Sequence, residues 1–167
     1  LHIDNQNKTT TRGTPQDCDG TPEEMAWGWV KLCRDYVDML RQISPVTLLI
    51  IPGNHVYYTA TLLRAAMQGW FHKTKDVEVV ESFSPRQYVA YGSSLITFLH
   101  GDAGKPRDWP AIIAGERPKE WGESKHRFIF CGHLHTERDF PVFGNVTVYR
   151  MPSLAGTDNW HFKQGYK

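Results

Sequence analysis

Three short apolar runs in this chain each end in a turn built from glycine and histidine, and that arrangement restricts the fold more than any other feature. Residues 48–51 lead into Pro52-Gly53-Asn54-His55, residues 95–99 into His100-Gly101-Asp102, and residues 128–131 into Gly132-His133-Leu134-His135. Short apolar runs bounded by turn residues have the character of strands buried on both faces. In an open α/β sheet, ligands lie beyond the carboxyl ends of the strands, so three such runs can deliver their loops to one place. One Asn and four His would then converge, a set of side chains suited to divalent transition metals.

The rest of the chain supplies partners for such strands. Residues 5–20 are polar and rich in Thr, Gly, Asp and Gln, which predicts a surface loop. Thr21 can cap a helix, Pro22 suits its first position, and Glu24 completes a capping box. Ala26, Val30, Cys33, Val37 and Leu40 then alternate spacings of four and three, giving one apolar face. Ser44-Pro45 ends that helix, and residues 46–51 read as a buried strand. A second helix is expected from about 59 to 71, with Leu62, Ala66 and Trp70 along one stripe, and 77–80 as a short strand. Residues 88–91 and 95–99 flank Gly92-Ser93-Ser94 as a hairpin, and 142–148 around Gly144-Asn145 form a second. Residues 101–125 read as a long connection with short helices. Strand–helix–strand early and hairpins late indicate an α/β chain, a mixed sheet with helices packed on it.

Bulk properties narrow the classes. A chain of 167 residues with 40% hydrophobic content fits one compact domain with a real core. Charge is nearly balanced, 19 Lys+Arg against 18 Asp+Glu, so no basic tail or acidic block demands nucleic acid, although a basic cleft remains compatible. Cys18, Cys33 and Cys131 are an odd number without CxxC spacing. That argues against a disulfide scaffold and for a reducing cytoplasm. No stretch reads as a membrane span or signal peptide. Leu1 stands where an initiator Met would, which suggests a piece of something longer with an N-terminal element missing.

Each candidate has a plain structural alternative. His133 and His135 are two residues apart, so in extended backbone both rings face one pocket; alone they are as easily two surface histidines. Asn54 follows a turn glycine, where Asn is more often a local hydrogen-bonder than a ligand. His55 can ligate a metal or protonate a leaving group. His100 alone reads as a satisfied core histidine, and Asp102 as a cap of the loop that follows. Lys105, Arg107 and Arg117 can meet phosphates but are surface charges by default. The segment from Thr9 to Thr14 can line a cleft, with a solvated loop as the plainer reading, and Trp160-His161 can close over a site or simply pack.

Taken together and in order, the three motifs resemble the calcineurin-like metallophosphoesterase family. Its pattern runs D-x-H, G-D-x-x-D/N, G-N-H-D/E, a lone His, then G-H-x-H. Gly53-Asn54-His55, His100 and Gly132-His133-Leu134-His135 match the last three blocks, and the resemblance extends from the first helix to the last hairpin. It implies a mixed β-sheet sandwich flanked by helices, lacking its first strand or strands, over a single domain spanning 1–167. It implies that Asn54, His100 and His133 hold one metal, that His135 contributes to a second, and that His55 sits beside the substrate phosphate. Two divalent ions, manganese first and iron, zinc or nickel as alternatives, would activate water for in-line attack. The substrate implied is a phosphomonoester or phosphodiester, including DNA or a nucleotide, with no membrane and no obligate protein partner. The Gly-His-Leu-His context looks most like phage or bacterial members with nuclease or phosphodiesterase leanings.

Two departures from the family pattern stand out. D-x-H and the Gly-Asp that supplies the bridging carboxylate are absent from these residues, with His2 near the end of the second block at most. Val56 replaces the acid that usually follows the motif histidine and could orient its ring. Both departures favour an alternative, a non-catalytic phosphoesterase-like module for metal binding or assembly. An amidohydrolase using His-x-His fits poorly, because its barrel needs about 250 residues.

Overall fold

The computed structural model describes residues 7–9, 13, 15, 18, 20–134 and 138–152. Among them are four helices and seven strands, a mixed α/β arrangement with one five-stranded mixed sheet and one two-stranded parallel sheet. The chain divides into two compact units, one holding the residues up to Phe83 and the other Ser84–Leu154. Each has its own apolar core. Among the described residues no helix is long and apolar enough to cross a membrane, and all three cysteines are free.

In the first unit, α1 (Pro22–Leu40) starts at the expected capping box. The Glu24 amide donates to Thr21 Oγ1 at 3.2 Å, and the Thr21 amide donates to Glu24 Oε2 at 2.8 Å. Val37 is fully buried, with Ala26, Val30, Cys33 and Leu40 half-buried on the same face. Strand β1 is shorter than its apolar run. It spans Val46–Leu48 and pairs in parallel with β2 (Val77–Val79) through Val46↔Val77 and Leu48↔Val79. Three residues of β2 give ladder partners to three residues of β1, so 49–51 continue without one.

Helix α2 (Tyr57–Phe71) corrects the expected stripe. Its buried residues are Ala60, Leu63, Arg64, Met67 and Phe71, whereas Leu62 and Trp70 are 52% and 56% exposed. Spacing alone does not choose between the two faces. The buried residues 63, 67 and 71 take the same steps of four as 62, 66 and 70, displaced by one residue, or about 100° around the helix. Trp70 instead lies under the Arg34 guanidinium, 4.8 Å from the ring centre.

The second unit is the five-stranded sheet, ordered β3-β4-β5-β7-β6. Its strands are β3 (Arg86–Tyr91), β4 (Ser94–Leu99), β5 (His126–Cys131), β6 (Arg138–Val142) and β7 (Val146–Arg150). Both expected hairpins form. Gly92 turns β3 into β4 at φ +56, and Gly144 and Asn145 turn β6 into β7 at φ +81 and +56, the left-handed region that Gly and Asn tolerate. The 101–125 connection holds α3 (Trp109–Glu116) and α4 (Pro118–Glu123). Trp109 and Ile113 of α3 join Leu95, Leu99, Ile129, Cys131, Val146 and Val148 in the core. The three central strands β4, β5 and β7 are parallel, in the registers Leu99↔Cys131 and Cys131↔Arg150. They therefore end level, and His100, Gly132 and Met151 begin their loops at one carboxyl edge.

Candidate metal centre

The registers set the local geometry of the second unit's histidines. Leu99 pairs with Cys131, so His100 and Gly132 are the first residues past the ladder, and the Gly132 amide still donates to the His100 carbonyl at 2.9 Å. Beyond it the chain makes a three-residue turn, in which the Leu134 amide donates to the Gly132 carbonyl at 2.9 Å with His133 at φ +68. A γ-turn with positive φ is rare and strained. A left-handed residue with a side chain costs roughly 1–2 kcal/mol. Such outliers persist where the surrounding structure over-determines them, and they cluster at ligand sites.

The strained turn brings two imidazoles together. The rings of His100 and His133 have centroids 5.2 Å apart and planes 71° apart. Both residues are half-buried. Gly101 follows at φ +101, a backbone conformation that residues with a side chain rarely adopt, although a Cβ there would meet only ordinary contacts, 3.4 Å from the Cys131 Cβ and 3.7 Å from that of His133. Two imidazoles on one ion, each nitrogen about 2.0–2.1 Å away, hold their ring centres roughly 5 Å apart at a tetrahedral angle. The pair fits a shared divalent ion on that measure, and an edge-to-face ring contact has the same spacing. Among the described residues no group of three or more His, Cys, Asp or Glu gathers as a ligand set. His135 lies outside the described residues, as do His2, Trp160 and His161.

Asn54 and His55 belong to the first unit, in the turn between β1 and α2. Pro52 and Gly53 are buried, and Asn54 and His55 are half-buried. The Asn54 Nδ2 lies 3.4 Å from His55 Nε2, a long contact in which a neutral ring accepting there would carry its proton on Nδ1. Val56 occupies the N-cap of α2 and offers the helix no side-chain acceptor.

Other candidates resolve one by one. Arg107 pairs with Asp108 at 3.5 Å. Arg117 pairs with Glu120 and lies over the Tyr88 ring, and Lys105 is exposed. Asp102 is exposed and caps nothing among the described residues, which corrects the capping role expected of it. In the 9–14 segment, Thr9 forms a bridge with Pro15, while Thr10, Thr11, Arg12 and Thr14 lie outside the described residues.

No pattern in the sequence pointed to two arginines at the same strand edge. Arg150 pairs with Cys131 on one side and Arg138 on the other, and both guanidiniums lie over the Phe140 ring, at 5.7 and 5.4 Å. Only strand register reveals them. Burial pushes the Cys131 thiol up, against the opposing pull of Arg150. No protein-family model matches the chain, and no curated protein matches it.

Proposed function

We propose that this chain carries calcineurin-like metallophosphoesterase chemistry, the metal-dependent hydrolysis of a phosphomonoester or phosphodiester such as a nucleotide or nucleic acid. The observation that carries the reading is the strained turn at His133, which holds its ring against that of His100 at the carboxyl edge of adjacent parallel strands. Ligand sites of open α/β sheets lie at that edge. The order of the Gly-Asn-His, His and Gly-His-Leu-His motifs supports it independently. On this reading the domain is the family's β-sandwich, working in the cytoplasm.

His100 and His133 would hold one ion, for which the resemblance implies Asn54 as a further ligand, and it implies His135 as a ligand of the second ion. Imidazole suits iron, zinc and nickel, and manganese enters through the resemblance. A divalent pair supplies polarisation of the phosphoryl group and activation of water. His55 acts as general acid toward the leaving oxygen, a role that needs its ring protonated at the working pH. Arg138 and Arg150 add positive charge at the edge where an anionic substrate would arrive.

The test is hydrolysis of bis(p-nitrophenyl) phosphate with manganese, iron, zinc or nickel, by this chain and by the same protein with any residues encoded upstream of Leu1. Turnover that requires metal and disappears in His100→Ala and His133→Ala is expected. No turnover with any of the four ions sinks the reading. Val56 at the uncapped start of α2 favours a second reading, a non-catalytic metal-binding module. Calorimetric metal titration separates them, because one weak site fits the module and two coupled sites fit the enzyme.

A further inference from the structure

Arg64 is a buried cation that the metal chemistry does not use. Its residue is 3% exposed, and Nη2 donates to the Ile50 carbonyl at 3.0 Å, but Nε and Nη1 reach no hydrogen-bond acceptor among the described residues. The Phe83 ring covers the guanidinium, 5.2 Å from its centre, and is itself 66% exposed, so the cover is thin. Burial pulls the Arg64 pKa down, and the exposed carboxylate of Glu81 pulls it up from beyond ion-pair distance. A buried charge with donors unmet is costly, and native structures place an anion against such groups.

The position narrows the anion. Arg64 shares a helix face with Ala60 and Tyr57, and long helical side chains lean toward the amino end. The bond to Ile50 ties it to the chain entering the Pro52–His55 turn. Val56 leaves the first turn of α2 without a side-chain cap, and that turn holds no acidic residue to oppose an anion.

We propose that Arg64 anchors an oxyanion site in the first unit, at the amino end of α2 beside the Gly53–His55 turn, and that its ligand is the phosphate group of an ester substrate. The choice of phosphate rests on the phosphoesterase reading, whereas the need for an anion rests on Arg64 itself. Arg64 donates Nε–H or Nη1–H to a phosphoryl oxygen, and Glu81 competes for the same charge.

Thermal melts and calorimetry with millimolar inorganic phosphate, in EDTA so that no metal contributes, test the site. Phosphate is expected to raise the Tm of the chain, and Glu81→Gln to bind it more tightly. Arg64→Met is expected to weaken binding by roughly ten-fold or more, the loss of one charge-assisted bond, while melting no lower than the parent without phosphate. Dimethyl phosphate run alongside identifies the ester: a response to phosphate alone assigns a terminal monoester, and a response to both assigns a diester. Unchanged affinity in Arg64→Met overturns the proposal. So does the absence of any phosphate response in both the parent and Glu81→Gln, which stays informative if Arg64→Met fails to fold. Hydrolysis without this binding would defeat the Arg64 site alone, and binding without hydrolysis would defeat the phosphoesterase reading alone.

Discussion

Replacing His133 with glycine and with alanine separates the backbone of the candidate centre from its chemistry. Both changes delete the imidazole beside His100, but only glycine adopts φ +68 without a steric penalty. The relief is about 1–2 kcal/mol. Against it stands the extra freedom glycine gives the unfolded chain, about 0.4–1 kcal/mol. His133→Gly should therefore be more stable than His133→Ala by roughly 0.5–1 kcal/mol in EDTA. For a chain of 167 residues that is a difference of about 1–4 °C in Tm. The second arm adds metal. If His133 is a ligand, an ion at a hundred times its Kd stabilises the parent by about 2.7 kcal/mol, and both variants lose most of that gain. Urea melts with and without manganese or zinc measure the two terms separately. Equal stability of the two variants in EDTA would refute the strained turn, and an undiminished metal shift in either would refute the ligand.

The second unit also carries a pH signature. Burial, then the hydrogen bond to Glu116, pushes the Tyr88 phenol up to about 12 from the usual 10, and Arg86 pairs with the same carboxylate. The folded state keeps its proton after the unfolded state has lost it, so stability is full below pH 10 and falls between about pH 10 and 12. Tyr88→Phe should abolish that alkaline loss in a pH series of melts, and an unchanged slope would remove Tyr88 as its source. Ile129 is fully buried at the middle of the sheet, so Ile129→Ala should cost about 2–5 kcal/mol in urea unfolding. A loss under about 1 kcal/mol would contradict the packing described for this core.

The capping box of α1 and both hairpin turns were legible because each is decided within a few residues. Thr21 and Glu24 satisfy each other's amides, and Gly92, Gly144 and Asn145 sit where φ must be positive. The positions of the strands were legible too, but not their extents: β3, β5, β6 and β7 run past the residues expected, and β1 stops with its partner β2. The candidate histidines were visible as motifs, and their flanking apolar runs marked them as strand ends. The inward face of α2 was not legible, since Leu62 and Trp70 are as apolar as Leu63 and Met67, and only packing chooses between them.

By itself, then, the amino-acid order determined where α1 starts, where both hairpins turn, and that His100 and Gly132-His133 follow strands, because backbone sterics and hydrogen bonds between near neighbours settle those matters. Tertiary structure alone decided that Leu99 lies level with Cys131, and so that His133 is forced into a left-handed turn against His100. It likewise decided that Arg64 is buried with donors unmet, and that Arg138 and Arg150 meet over Phe140. Each of these depends on pairing between segments distant in the chain, and no local preference encodes such register.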